Sequence, residues 1–219
     1  MASTAPVVVE LFTSQGCSSC PPADAFLTEL RATPGIIALT YHVDYWDYLG
    51  WKDTLGGPEF SQRQYDYAKA RGDMDVYTPQ MIINGGRHVV GSQKDNVRAA
   101  IAEARQQTWP VRVTLGENGR EITVELGAGA KEDATLWLLP LVPLMSVKIL
   151  KGEIAGREIE YRNVVRKILP AGMWTGKPDR LVLPRDGVLA PECTGCVALL
   201  QKGKAGPVLG AAVWGDVGV

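Results

Sequence analysis

A strand-like run that ends at a pair of cysteines and passes at once into a helix-like run constrains this chain more than any other feature. Val7-Val8-Val9-Glu10-Leu11-Phe12 is β-branched and almost continuously apolar, the pattern of a parallel strand covered on both faces. After Thr13 to Gly16 come Cys17-Ser18-Ser19-Cys20-Pro21-Pro22. Proline is tolerated in the first turn of a helix, where the N–H it lacks would have no partner. Phe26, Leu27 and Leu30 then recur at helical spacing, predicting a helix over 23–32 that Pro34-Gly35 ends. A β-rich run over 36–43 completes a β-α-β unit with parallel strands and a right-handed crossover.

Residues 44–58 are rich in aromatics and glycine and are expected to form a long loop of the kind that carries function. A helix is predicted over 59–71, then Tyr77-Thr78-Pro79 leads into a strand over 80–83. Asn84-Gly85-Gly86 is a hairpin signal before a strand over 87–90. A helix over 93–107 follows, with Val97, Ile101 and Ala104 on one face. Beyond Trp109-Pro110 the texture becomes short alternating runs at 111–115, 121–126, 135–142, 157–165, 180–183, 196–200 and 208–214, separated by Gly, Pro and charged turns. Such spacing predicts antiparallel β structure. The expected fold class is α/β: a β-α-β-α-β-β-α domain over 1–108, then a β-rich domain or extension over 109–219.

With 219 residues, 46% apolar, 21% charged and a net charge of -1, the chain has the composition of an ordinary soluble globular protein. Lys and Arg are not clustered, so there is no electrostatic basis for binding nucleic acid or an anionic membrane surface. No apolar run reaches the roughly 18 residues of a membrane span; the nearest, 136–145, is interrupted by Pro140 and Pro143. A secretory leader would place a basic segment and an apolar stretch before Val7, and none stands there. The expected location is the periplasm or the exterior if a signal was removed, and the cytoplasm otherwise.

All four cysteines fall in C-x-x-C pairs, Cys17/Cys20 and Cys193/Cys196. A dithiol enzyme needs one acidified cysteine to attack and a second within reach to resolve the mixed disulfide. At a helix start, unpaired N–H groups and the macrodipole would pull the Cys17 thiol below its ordinary value of about 8.5, while Cys20, one turn in, would be shielded. The chemistry expected is thiol–disulfide exchange with a thiol or disulfide substrate, proteins included, without cofactor or metal. Zinc shared between two C-x-x-C pairs calls for a gap of about 15 to 20 residues, far shorter than the gap here. His42 and Asp44, two apart at a strand end, are expected to share one face near the dithiol. There they could tune Cys17, hold a metal, or be a hydrogen-bonded structural pair. Tyr45, Trp46, Tyr48 and Trp51 form either an apolar substrate groove or anchors of the long loop. Cys193/Cys196 lacks the helix-start context, which favours a structural disulfide or turn-closing pair over an electron relay.

Over roughly residues 7–107 these features resemble the thioredoxin superfamily. The resemblance implies that Glu10 stands where thioredoxins keep a buried acid assisting proton transfer, with one extra residue here before the dithiol. It also implies that Thr78-Pro79 is a cis-proline loop facing an extended substrate, with Tyr77 and Trp46 on the substrate side. Ser18-Ser19 replaces the thioredoxin Gly-Pro, and no Trp precedes Cys17. Closer still, Glu-Leu-Phe-Thr-Ser-Gln-Gly-Cys-Ser-Ser-Cys-Pro-Pro-Ala-Asp, Tyr41-His42-Val43-Asp44-Tyr45-Trp46-Asp47, Tyr77-Thr78-Pro79-Gln80, Tyr161-Arg162-Asn163-Val164-Val165 and the segment from Gly206 to Ala212 resemble a bacterial and plant domain-of-unknown-function family described as secreted or thioredoxin-like. Together they imply a thiol–disulfide oxidoreductase. The alternative is a non-catalytic metal-binding or assembly module using Cys17, Cys20 and His42.

Overall fold

The computed structural model describes residues 5–218; residues 1–4 and 219, at the outer ends of the two expected portions, lie outside the described residues. The first half runs β1 (Val7–Thr13), α1 (Pro21–Arg31), β2 (Ile36–His42), a 3-10 turn (Asp47–Leu49), α2 (Pro58–Arg71), β3 (Gln80–Ile83), β4 (Arg87–Val90) and α3 (Lys94–Ala104). This is the β-α-β-α-β-β-α order expected from apolar spacing. The second half runs β5 (Val113–Glu117), β6 (Glu121–Leu126), β7 (Ala134–Lys148), β8 (Glu158–Val165), β9 (Leu169–Trp174), β10 (Asp179–Pro184), the single turn α4 (Arg185–Val188), β11 (Gly195–Lys202) and β12 (Val208–Gly215). The fold is mixed α/β with a β-rich second half.

Every residue of β1 is buried because both of its faces are covered. Val7, Val9 and Leu11 pack with Phe26, Leu27 and Leu30 of α1 and Val97 and Ile101 of α3. Val8 and Phe12 face the other way, onto Tyr67 of α2 and onto Leu139, Leu141, Val197 and Leu199 of the second half. The pleat thus deals alternate residues into two cores, which is why the run carries no polar face. β1 pairs in parallel with β2, Phe12 opposite Tyr41 and Thr13 opposite His42, and antiparallel with β3. Asn84 and Gly85, both at positive φ, make the tight β3–β4 turn that their sequence demands.

The sheet does not end with β4 and α3. Its order is β12-β11-β7-β8-β2-β1-β3-β4, with β9 also on β7, and β8 joins β2 through a parallel pair at Thr40 and Val164. Along that seam Thr40 Oγ1 donates to the Arg162 carbonyl at 2.7 Å. Asn163 Nδ2 donates to the carbonyls of Ala38 and Val217, each at 2.8 Å. A second sheet, β10-β6-β5, closes a core containing Ile122, Val124, Leu136, Leu138, Trp174 and Leu200. β7 is longer than the run predicted at 135–142 and continues through both prolines. The β7–β8 ladder steps from the Val142–Val164 pair to the Leu144–Arg162 pair over Pro143, so the missing N–H does not break it. Among the described residues, no helix is long and apolar enough to cross a membrane.

Candidate functional site

Cys17 and Cys20 are joined as a disulfide, with Cα atoms 5.5 Å apart. Its turn is closed by the Cys17 N–H donating to the Ser14 carbonyl at 3.2 Å and the Cys20 N–H donating to the Cys17 carbonyl at 3.3 Å. Cys20 is the N-cap of α1, and Pro21 and Pro22 fill its first positions. The N–H groups of Ala23 and Asp24 donate to the Cys20 carbonyl at 2.8 and 3.1 Å. Cys17, expected at the helix N-terminus, therefore lies in the turn before it, because the prolines start the helix only after Cys20. A hydroxyl stands close to its sulfur instead: Ser19 Oγ lies 3.3 Å from Cys17 Sγ, and a disulfide sulfur carries no hydrogen, so Ser19 is the donor. Cys17 is 3% exposed and Cys20 is fully buried, whereas Ser18 and Ser19 between them are exposed.

The loop after β2 folds over this turn. Trp46 Nε1 donates to Thr78 Oγ1 at 2.7 Å, and the Trp46 Cβ and carbonyl press against Gly16 so closely that a Cβ there would force them to shift. Trp46 thus ties the residue before Cys17 to the residue before Pro79. The Thr78–Pro79 peptide is cis. Tyr48 stacks on Trp46 with ring centroids 6.3 Å apart and is 76% exposed. Tyr77 is engaged elsewhere: its hydroxyl lies 2.9 Å from His88 Nδ1 and its carbonyl accepts from Gln64 Nε2 at 2.8 Å.

Asp53, a loop residue to which no spacing pointed, holds the assembly together. Its Oδ2 accepts from the Gln15 N–H at 2.8 Å and faces His42 Nδ1 at 2.9 Å; its Oδ1 accepts from the Leu55 N–H at 2.9 Å. Burial would raise this carboxyl, but His42 and the hydrogen bonds from His42, Gln15 and Leu55 hold it below the usual range. The expected pairing of His42 with Asp44 is not found. β2 ends at His42, so strand alternation does not reach Asp44, whose Oδ1 accepts from Ser61 Oγ on α2 instead.

Two acids in this region have opposite surroundings. Glu10 is fully buried on the face of β1 that it shares with Phe12, away from α1, where Arg63 Nε donates to its Oε1 at 2.8 Å and the Tyr67 hydroxyl donates to its Oε2. Arg63 also donates to Tyr67 Oη and to Gln201 Oε1, each at 2.8 Å. Glu10 therefore binds β1 to α2 and β11 instead of standing under the dithiol, since pleat parity sends position 10 to one side of the sheet and α1 lies on the other. Asp24, absent from the candidates that the sequence suggested, is 3% exposed on the inner face of α1. Burial pushes its carboxyl up to about 7, against the lowering influence of the Thr13 hydroxyl and of His42. It follows Cys20 by four residues, so the two side chains neighbour each other along the helix. The available signal was an acid inside the apolar stripe of Ala23, Phe26, Leu27 and Leu30.

A family model described as a protein of unknown function, DUF1223, matches residues 8–201. The chain belongs to that family. It is similar over 97% of its length to the protein AGR_C_4864 from Agrobacterium tumefaciens, with 33% identity, 95% of that chain covered and a TM-score of 0.83. HBP35 of Porphyromonas gingivalis shares the fold alone: 13% identity and a TM-score of 0.66, over 97% of this chain and 75% of that one. No curated protein matches the chain. The DUF1223 span contains Cys17, Cys20, Asp24, His42, Asp53, Thr78 and Pro79, so the site described above lies inside it.

In this DUF1223 chain the second cysteine pair is not a disulfide. Cys193 and Cys196 are free thiols, both buried. Cys196 is fixed within β11 opposite Trp214 and Pro140, while Cys193 sits in the turn before it, its N–H on the Ala190 carbonyl at 2.9 Å. Burial pushes Cys196 up to about 12 and Cys193 in the same direction, away from the thiolate that exchange requires. Among the described residues, no three His, Cys, Asp or Glu side chains gather where they could hold a metal ion. His42 is instead the partner of Asp53.

Proposed function

We propose that this DUF1223 chain is a thiol–disulfide oxidoreductase on a thioredoxin-like frame, acting on thiol or disulfide substrates that include proteins. The observation that carries the reading is the Cys17–Cys20 disulfide at the entry to α1, with the Ser19 hydroxyl on the Cys17 sulfur and Cys20 sealed beneath. In the reduced state Cys17 is the attacking sulfur, because it keeps the only exposure of the two and the donor that stabilises a thiolate. Cys20 resolves the mixed disulfide. The edge formed by Trp46, Thr78 and Pro79 is the side from which substrate approaches.

Cys20→Ser tests the reading. Mixed with a disulfide-bonded peptide in chelated buffer, this variant should accumulate one peptide per chain on Cys17, seen as an intact-mass adduct that dithiothreitol removes. Cys17→Ser should accumulate none. Absence of the adduct, together with stoichiometric metal in the parent protein that is lost in His42→Ala, would instead establish the non-catalytic metal module.

A further inference from the structure

The second half of the chain meets α2 along a cleft that takes no part in the dithiol site. One portion is a cavity of about 190 Å³ bounded by α2, by Trp137 of β7, by Ile168 and by the turn at Lys204 and Ala205. Sharing Asp66, Lys204 and Ala205 with it, a wider cleft of about 670 Å³ adjoins and gives a way in from solvent. Glu59, Arg63 and Asp66 stand at i, i+4 and i+7 of α2, so they form one stripe along the cavity with the cation in the middle. Trp137 Nε1 donates to the Lys204 carbonyl at 3.0 Å, which fixes the lip. The Arg63 guanidinium lies 6.0 Å from the centre of the Trp137 ring. Trp137 and Ile168 pack on the shared core, so the wall beside these charges is apolar.

Arg63 is 4% exposed, and only part of its fork is used. Nε and Nη2 serve Glu10, Tyr67 and Gln201. Among the described residues Nη1 makes no hydrogen bond, and it is not enclosed. On a residue that lines the cavity, it is the nitrogen left to face a ligand. Asp66 does not neutralise it, since the ion pair of Arg63 is with Glu10. The Asp66 Oδ1 accepts from Gln62 Nε2 at 2.9 Å, which leaves Oδ2 for another donor. Glu59 and Lys204, both exposed, add one charge of each sign to the lining.

We propose that this cavity binds a free α-amino acid with an apolar side chain, its carboxylate on Arg63 Nη1, its ammonium on Asp66 Oδ2 and its side chain on Trp137 and Ile168. The site goes beyond the oxidoreductase reading and does not depend on it. Arg63 and Asp66 are three residues apart on one helix, about 4.5 Å along its axis, a spacing suited to two opposite charges joined through a single carbon. A simple anion would meet Asp66 and Glu59, and a simple cation would meet Arg63, so the lining rejects both. Within a peptide the same two groups are tied up in amide bonds. Because Glu10 already fixes the guanidinium, Nη1 is held in place before the ligand arrives, which lowers the ordering cost of binding.

L-Leucine is the probe. It is titrated into the full chain while calorimetry follows the heat and NMR follows the indole N–H of Trp137, assigned with Trp137→Phe. Leucine should saturate one site and shift that signal. L-Leucinamide, which lacks the carboxylate, and N-acetyl-L-leucine, which lacks the ammonium, should each bind about tenfold more weakly or worse, the scale of one lost charge-assisted hydrogen bond. Asp66→Asn should weaken leucine by about tenfold and leave N-acetyl-L-leucine no weaker than in the parent. No saturable binding at millimolar leucine would overturn the proposal. So would either analogue binding as well as leucine, or binding that leaves the Trp137 signal unmoved. The analogue comparison is made on the parent protein, so it decides the matter even where a variant folds poorly. Failure of the Cys20→Ser adduct would remove the oxidoreductase reading and leave this site standing.

Discussion

A buried carboxyl whose desolvation outweighs the help of its neighbours makes the folded state sensitive to pH, and Asp24 is such a group. Its pKa rises from 3.8 to about 7 in the fold, chiefly through burial, so the native state binds this proton more tightly than the unfolded chain does. Its contribution to stability is complete below pH 4, declines as pH rises toward 7, and is gone above that. At about 1.4 kcal/mol per pH unit, that interval amounts to about 4 kcal/mol. Asp24→Asn should accordingly gain on the parent as the pH of a urea titration is raised from 4 to 8, and a difference independent of pH would contradict this. At the same scale, the dithiol and the Thr78-Pro79 loop were legible because each is a motif written in neighbouring residues. Asp53 was not, because it reaches the site from a loop whose sequence carries no spacing that points to the dithiol. Glu10 was visible as a buried acid, but which face of β1 it occupies follows from parity relative to α1, and the loop at 13–16 hides that parity.

At the scale of elements, the Glu10–Arg63–Tyr67–Gln201 cluster decides how β1, α2 and β11 meet. Arg63 is 4% exposed; burial alone would lower its pKa, and Glu10 raises it. Removing one partner leaves a charge stranded in the core, which costs about 3–5 kcal/mol, whereas an apolar pair of similar volume can be neutral. Arg63→Met should therefore lower the unfolding free energy by that amount, and Glu10→Leu combined with Arg63→Met should recover most of it, both read from urea midpoints. Equal losses in the single and double variants would show that the cluster contributes nothing as a pair. Elements with one clear apolar period, β1 through α3, were predicted to within a few residues. β9 escaped because Pro170 and Gly172 interrupt its short pattern, and it pairs only with the first residues of β7. β7 was cut short at Pro143, which reads as a break although the β7–β8 ladder steps over it.

For the whole molecule the decisive fact is a shared core: Val8, Phe12, Ile37, Leu39 and Tyr41 from the first half are buried with Leu139, Leu141, Val165, Val197 and Leu199 from the second. Burying a side chain of this size contributes about 1.5–3 kcal/mol, comparable in sum with the entire stability of an ordinary domain. A chain ending at residue 108 should lose the cooperative near-ultraviolet melting transition of the full protein; a sharp transition at the parent's temperature would show that the first half folds alone. The seam at Thr40 and Val164 has a consequence of another kind. β2 has β1 on one side and β8 on the other, and its sequence, Ile-Ile-Ala-Leu-Thr-Tyr-His, holds no charged gatekeeper among its first six residues. Left uncovered, such a flat apolar border with free N–H and C=O groups invites the strands of other molecules, the opening event of fibril growth. By laying β8 along it, the second half keeps the most adhesive strand of the first from ever becoming a rim, so variants that loosen Asn163 would be expected to cost the cell solubility before they cost it chemistry.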